Sequence, residues 1–270
     1  MKATVIVDNI PCAEAKGEWG LCIYIEYGDK TVLLDTGASP LFAANCHKLG
    51  LPLDKVDYAV LSHAHYDHAD GIPEFFKQNQ KAKMYFRDSA AADCYFKKFF
   101  IHKYIGIPKK APSLYADRIE YAKGDTEISQ GIYLIPHKTA GLSAIGKREN
   151  MYRRDEDGWH PDDFSHEQSL VFDTDKGLVI FNSCSHGGAV NIINEVAATF
   201  PDKKVHALIG GFHLFNKPDS EVRQLGKKIK ETGIEYVCTG HCTGKRAYSI
   251  LKDELGDTVA QLHVGMMMEF

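Results

Sequence analysis

Residues 61–68 read LSHAHYDH, and this segment constrains the fold more than any other in the chain. It follows an apolar run, 58–61, that reads as a short buried strand, and it precedes a helix predicted from about Gly71 to Lys77. In extended backbone successive side chains point to opposite faces, so His63 and His65 project from the same side. Where the chain turns into the helix, Asp67 and His68 point to a neighbouring position. One loop thereby offers two pairs of donors to two adjacent cations. Imidazole with carboxylate suits zinc first, then iron or manganese. Such a loop works only if a sheet fixes its root and other strand ends bring further ligands.

The flanking sequence predicts that sheet. Residues 2–8, 21–27 and 31–35 are β-rich, with a turn between Tyr27 and Lys30. Ser39 and Pro40 open a helix that Gly50 closes. Further strands are predicted at 83–86, 132–135, 169–174, 178–182, 205–209 and 235–239, and helices at 188–199, 219–232 and 244–255. Strands and helices interleave in both halves, which predicts an α/β sandwich of two sheets flanked by helices. We expect one domain over 1–270, built of two similar halves. Residues 81–165 are the least regular part and read as a lid-like insertion. An aromatic-rich helix is expected there near 89–104, and a Gly- and charge-rich loop over 141–163.

No apolar run is long enough to span a bilayer, and the opening MKATVIVDNI reads as a strand, not a secretory signal. Seven scattered cysteines without a CxxC pair fit free thiols in a reducing cytoplasm. A net charge of −4 argues against a protein that grips nucleic-acid phosphates. The charge is uneven, however: residues 81–123 carry +6 and the remainder −10. A basic segment on an acidic protein can draw in a small anionic substrate, and Tyr95, Lys97 and Lys98 are its candidate contacts. A solvated helix face backed by ordinary aromatic core is the competing reading. A homo-oligomer stays open.

The 61–68 segment resembles the HxHxDH signature of the metallo-β-lactamase superfamily. The preceding LLDTG, 33–37, resembles the strand that ends there in a supporting aspartate, here Asp35. The resemblance implies a four-layer αββα fold and two divalent cations, one held by His63 and His65, the other by Asp67 and His68. The strand 178–181 ends in NSCSHGG, 182–188, where the superfamily carries a bridging aspartate or, in one branch, a cysteine. Cys184 stands about there, with His186 two residues on. His186 is the first choice of ligand and Cys184 the second, a buried structural thiol being the alternative. His241 resembles the last-motif histidine that completes the second site. His137 matches the mid-chain histidine poorly; without it, His186 must complete the first site. His213, at another strand end, reads either as a metal or substrate contact or as structural.

The order of EQSL (167–170), SCSHGG (183–188), GGFHL (210–214) and HCTG (241–244) is similar to the branch named for dihydropterin–ribofuranosylaminobenzene phosphate synthase. The resemblance implies an enzyme. The first expectation is a hydrolase of a phosphorylated or aromatic small molecule, in which a hydroxide between the cations attacks while Asp67 orients it or takes its proton. The alternative is a transferase of the branch's kind. A non-catalytic metal-binding module is the third reading, and the complete ligand set argues against it.

Overall fold

The computed structural model describes residues 1–91 and 93–270. Two seven-stranded sheets form its centre. In the first, Lys2–Val7, Cys22–Tyr27 and Lys30–Leu34 run antiparallel, and Tyr58–Val60, Lys83–Arg87 and Ile119–Ala122 then add in parallel. The second repeats this plan. Ile132–Pro136, Gln168–Thr174 and Gly177–Phe181 are antiparallel, followed by parallel Val205–Gly210, Tyr236–Thr239 and Val259–Gln261. Met267–Glu269 returns to pair with Lys2–Val7, so the last strand closes the edge of the first sheet.

Period-two alternation decides which side chains meet. Val5, Ile23 and Leu34 face the second sheet and pack with Leu170, Phe172 and Phe181 in the layer between the sheets. Their neighbours Ile6 and Leu33 face outward, onto helices Leu41–Lys48 and Ile72–Gln78 through Phe42 and Phe75. On the second sheet Val171, Ile180 and Leu208 face helices Ala189–Thr199, Asp219–Glu231 and Lys245–Leu255. The four-layer sandwich expected from the sequence is therefore the observed one. Phe172 and Phe181 meet edge-on at 5.7 Å with no solvent exposure, and truncating either to alanine should cost about 3–5 kcal/mol.

The insertion differs from expectation. The predicted helix near 89–104, of which residue 92 lies outside the described residues, is a hairpin of Asp93–Lys98 and Ile101–Tyr104. The predicted loop 141–163 holds a short helix, Ser143–Arg148, and a second hairpin, Met151–Asp155 with Gly158–Pro161. The two hairpins join edge to edge through the register pair Met151 and Phe96, giving a four-stranded sheet. The insertion is thus mainly β. Its aromatics follow period two, and they pair across strands: Tyr95 with Tyr104 at 5.4 Å and with Trp159 at 4.8 Å, and His102 stacked on Trp159 at 3.8 Å. Partners more than fifty residues away outweighed the local helical spacing. Among the described residues no helix is long and apolar enough to cross a membrane.

Candidate metal centre

The site lies at the carboxyl ends of the parallel strands, where an open α/β sheet leaves its crevice. Leu34 leads to Asp35, Val60 to the 61–68 loop, Phe181 to Cys184 and His186, Gly210 to His213, and Thr239 to His241. Each strand end must turn sharply to aim a side chain inward. Asp35, Ser185, His213 and His241 all take φ between 46° and 60°, in the left-handed region that non-glycine residues rarely occupy. Strain of this kind concentrates at functional sites.

His63, His65 and His186 bring ring nitrogens within 4.8 Å of one another, and their ring centroids lie 4.6 to 5.0 Å apart. Beside them, His68 Nε2 is 3.3 Å from Cys184 Sγ and 3.8 Å from Asp67 Oδ2, while His241 Nε2 is 3.5 Å from the same oxygen. Donors about 2.0 to 2.3 Å from a tetrahedral zinc lie roughly 3.3 to 3.8 Å from each other, the spacing seen among His68, Asp67, Cys184 and His241. Cys184 also groups with His63 and His68, between the two positions. The structure therefore assembles His63, His65, Asp67, His68, Cys184, His186 and His241 in one buried cluster.

Hydrogen bonds fix the tautomers. Ser62 Oγ donates to Asp35 Oδ2 at 2.7 Å, so it must accept from His63 Nδ1 at 2.8 Å. His68 Nδ1 donates to Asp35 at 2.8 Å, and His241 Nδ1 donates to Asn9 Oδ1 at 3.2 Å. In the neutral form of each of the three rings the Nε2 lone pair is left pointing into the cluster. Nε2 of His63, His65, His186 and His241 are buried without any hydrogen-bond partner. Buried polar atoms left unsatisfied cost about 1–3 kcal/mol each, so four together are explained by a group they bind.

Electrostatics point the same way. Burial and the neighbouring imidazoles hold His63 and His186 well below the usual histidine range, and His65 at about 3, so these rings stay neutral and able to ligate. Burial opposes ionisation of Asp67, but His68 and His241 outweigh it and keep the carboxyl below its ordinary range. His241 differs: burial opposes its charge, but Cys242 and Asp67 overcome it and lift the ring to about 9, so this ring carries a proton towards Asp67 that an incoming cation would displace. The donor set of imidazoles, carboxylate and thiolate fits a divalent cation of the zinc or iron type.

His137 is elsewhere. Its ring lies under Gly187, with Nδ1 3.0 Å from Glu195 and Nε2 against Glu167, and it takes no place in the cluster. His213 borders the cluster with its ring 4.5 Å from His186, and its Nδ1 has no hydrogen-bond partner. Tyr95 and Lys97 face away from the site: Tyr95 packs on Trp159, and Lys97 lies over Tyr152 at 5.4 Å. Lys98 is exposed near the hairpin tip. The residue of that strand which does reach the cavity over the cluster is Phe96. With it, Trp19, Tyr66, Met151 and Phe215 wall a space of about 160 Å³.

Sequence reasoning also missed Cys242, adjacent to His241, and the pair Asp162 and His166 behind the loop. His166 accepts the Ala64 N–H at Nδ1 (3.1 Å) and donates from Nε2 to Asp162 (3.1 Å), bracing His65 from behind. No spacing rule links residues a hundred positions apart.

A family model described as the metallo-beta-lactamase superfamily matches residues 19–190. The chain belongs to that superfamily, whose members generally bind divalent metals. A synthase from Methanocaldococcus jannaschii, 7,8-dihydropterin-6-methyl-4-(beta-D-ribofuranosyl)-aminobenzene-5'-phosphate synthase, is 27% identical over 257 residues, covering 89% of this chain and 85% of that protein. The crystal structure of Tm1679, a metal-dependent hydrolase of the beta-lactamase superfamily, superposes with a TM-score of 0.87 at 30% identity, over 100% of this chain and 99% of that one. A diphosphatase from the PhnP family is 14% identical with a TM-score of 0.57, covering 100% of this chain and 97% of its own; it shares the fold.

Proposed function

We propose that this chain is a metal-dependent enzyme with two cation positions, acting on a small molecule that carries an aromatic ring or a phosphoryl group. The observation that carries this reading is the set of four buried Nε2 atoms without a hydrogen-bond partner, those of His63, His65, His186 and His241, gathered in one cluster with Asp67, His68 and Cys184. His63, His65 and His186 would hold one cation, and Asp67, His68, Cys184 and His241 the other, with zinc the first candidate. Paired divalent cations supply Lewis acidity and a strong oxygen nucleophile at neutral pH.

The protein's own residues do the rest. Asp67 belongs to the second position, beside His68 and His241, and can accept a proton from a nucleophile held there. Trp19 meets Phe215 edge-on at 5.7 Å, and Phe96 and Tyr66 line the same cavity, so a planar ring would stack over the centre. Lys97 and Lys98 do not border that cavity. Lys217 and Arg148, both tied to Glu149, line the adjoining cavity.

Hydrolysis is the first reading, and a synthase-type transfer the second. A specific feature favours the second: another cavity, of about 180 Å³, adjoins the first across His186, His213 and Glu149, with room for a second organic substrate. The named activity of the methanogen relative supports it as well. Product analysis separates the two. Protein purified without added metal should contain about two transition-metal ions per chain and turn over members of a phosphoester and lactone panel in water alone. Turnover that needs an aromatic second substrate would select transfer; protein with no bound metal and no activity after zinc loading would sink both.

A further inference from the structure

Cys242 has no part in the readings above, yet its sulfur sits inside the cluster. Sγ is 3.3 Å from Cys184 Sγ, and Cys184, His241 and Cys242 place their ligand atoms within 4.8 Å of one another. Its side chain is buried and borders the same cavity as Asp67, Cys184 and His213. The space for that sulfur is made by the backbone: a Cβ at residue 211 would approach it to 2.5 Å, so Gly211 leaves the opening that Sγ fills. The His213 amide donates to the sulfur at 3.3 Å, an interaction that strengthens when the sulfur is a thiolate. The second, independent observation is His241 Nε2, buried without a hydrogen bond, 3.5 Å from Asp67 and beside the same sulfurs.

We propose that Cys242 is a metal ligand, so that the second cation position presents two thiolates, Cys184 and Cys242, alongside imidazole. This rests on the two-cation reading and adds to it a choice of metal. Two sulfurs bound to one zinc at about 2.3 Å sit roughly 3.8 Å apart, so the pair needs to open by about half an ångström to grip an ion. Each thiol releases its proton to solvent as it binds, and no oxidant or reductant is involved. A dithiolate position favours zinc, cadmium or cobalt over magnesium and manganese, which prefer oxygen donors.

Cobalt(II) titration of the metal-free full chain tests this through sulfur-to-cobalt charge-transfer absorption. The intact chain should develop that band. Cys242→Ser should keep the fold by circular dichroism and retain about half its intensity, and the Cys184→Ser, Cys242→Ser double variant should lose it. A band of undiminished intensity in Cys242→Ser would overturn the proposal and leave the two-cation reading standing. An intact chain that takes up no cobalt would overturn both. Should Cys242→Ser fail to fold, cadmium-113 NMR of the unaltered protein decides: a resonance in the two-thiolate range supports the assignment, and resonances with one or no thiolate refute it. Loss of both free thiols to a Cys184–Cys242 disulfide in the metal-loaded protein would also refute it.

Discussion

The Asp35 carboxylate lies 2.8 Å from Nδ1 of His68, thirty-three residues further along the chain, and both groups are fully shielded from solvent. The same carboxylate accepts the Ser62 amide and hydroxyl, each at 2.7 Å, and the Ser183 hydroxyl at 2.6 Å. One acid thus fixes the ring of His68, braces His63 through Ser62, and ties the ends of both sheets together. Partners of this kind orient ligands, and their loss commonly weakens metal binding by about 10–100-fold. Asp35→Asn should lower affinity at the second position by that amount, read by chelator competition. Unchanged affinity would show that Asp35 supports only the fold.

His63→Ala and His68→Ala remove one donor from each position. Each variant is expected to lose about one metal ion per chain and nearly all activity, by elemental analysis and assay. Two ions retained in either variant would refute the ligand assignment.

His137 predicts a pH dependence away from the cluster. Burial disfavours its charge, but hydrogen bonds to Glu167 and Glu195 outweigh burial and raise it to about 9, above the ordinary value near 6.5. The native state therefore holds this proton more tightly than the unfolded chain. The resulting stabilisation is complete below about pH 6.5 and is lost as pH rises towards 9. Thermal melts should show Tm falling over that window, and His137→Gln should make the fall shallower, the His241 proton accounting for the remainder in metal-free protein. His137→Ala, leaving two buried carboxylates unpaired, should cost about 3–5 kcal/mol. A Tm equal at pH 6.5 and 9 in the parent would contradict the pairing.

Phe96 and Lys97 are neighbours on one strand that face opposite ways. With any substrate that turns over, Phe96→Ala should reduce kcat/KM about tenfold, or about 1.4 kcal/mol, through lost ring contact. Lys97→Ala, on the far face, should leave kcat/KM within twofold of the parent. The reverse ranking would place the substrate on the outer face of the insertion.

The sequence by itself determined the sandwich and the root of the site. LSHAHYDH after a short strand, LLDTG before it, and the strand ends at Cys184, His213 and His241 are local patterns, because side-chain direction follows from backbone period. The α/β alternation that sets the layers is local as well. Tertiary structure decided what depends on partners distant in the chain. It made the 93–104 segment a hairpin by pairing it with Met151–Asp155, and so turned Phe96 inward and Lys97 outward. It directed His137 to two carboxylates and His186 to the histidine cluster, and it brought Cys242 against Cys184. Those outcomes rest on which strands meet and which buried groups find partners, energies that exist only once the sheets have closed.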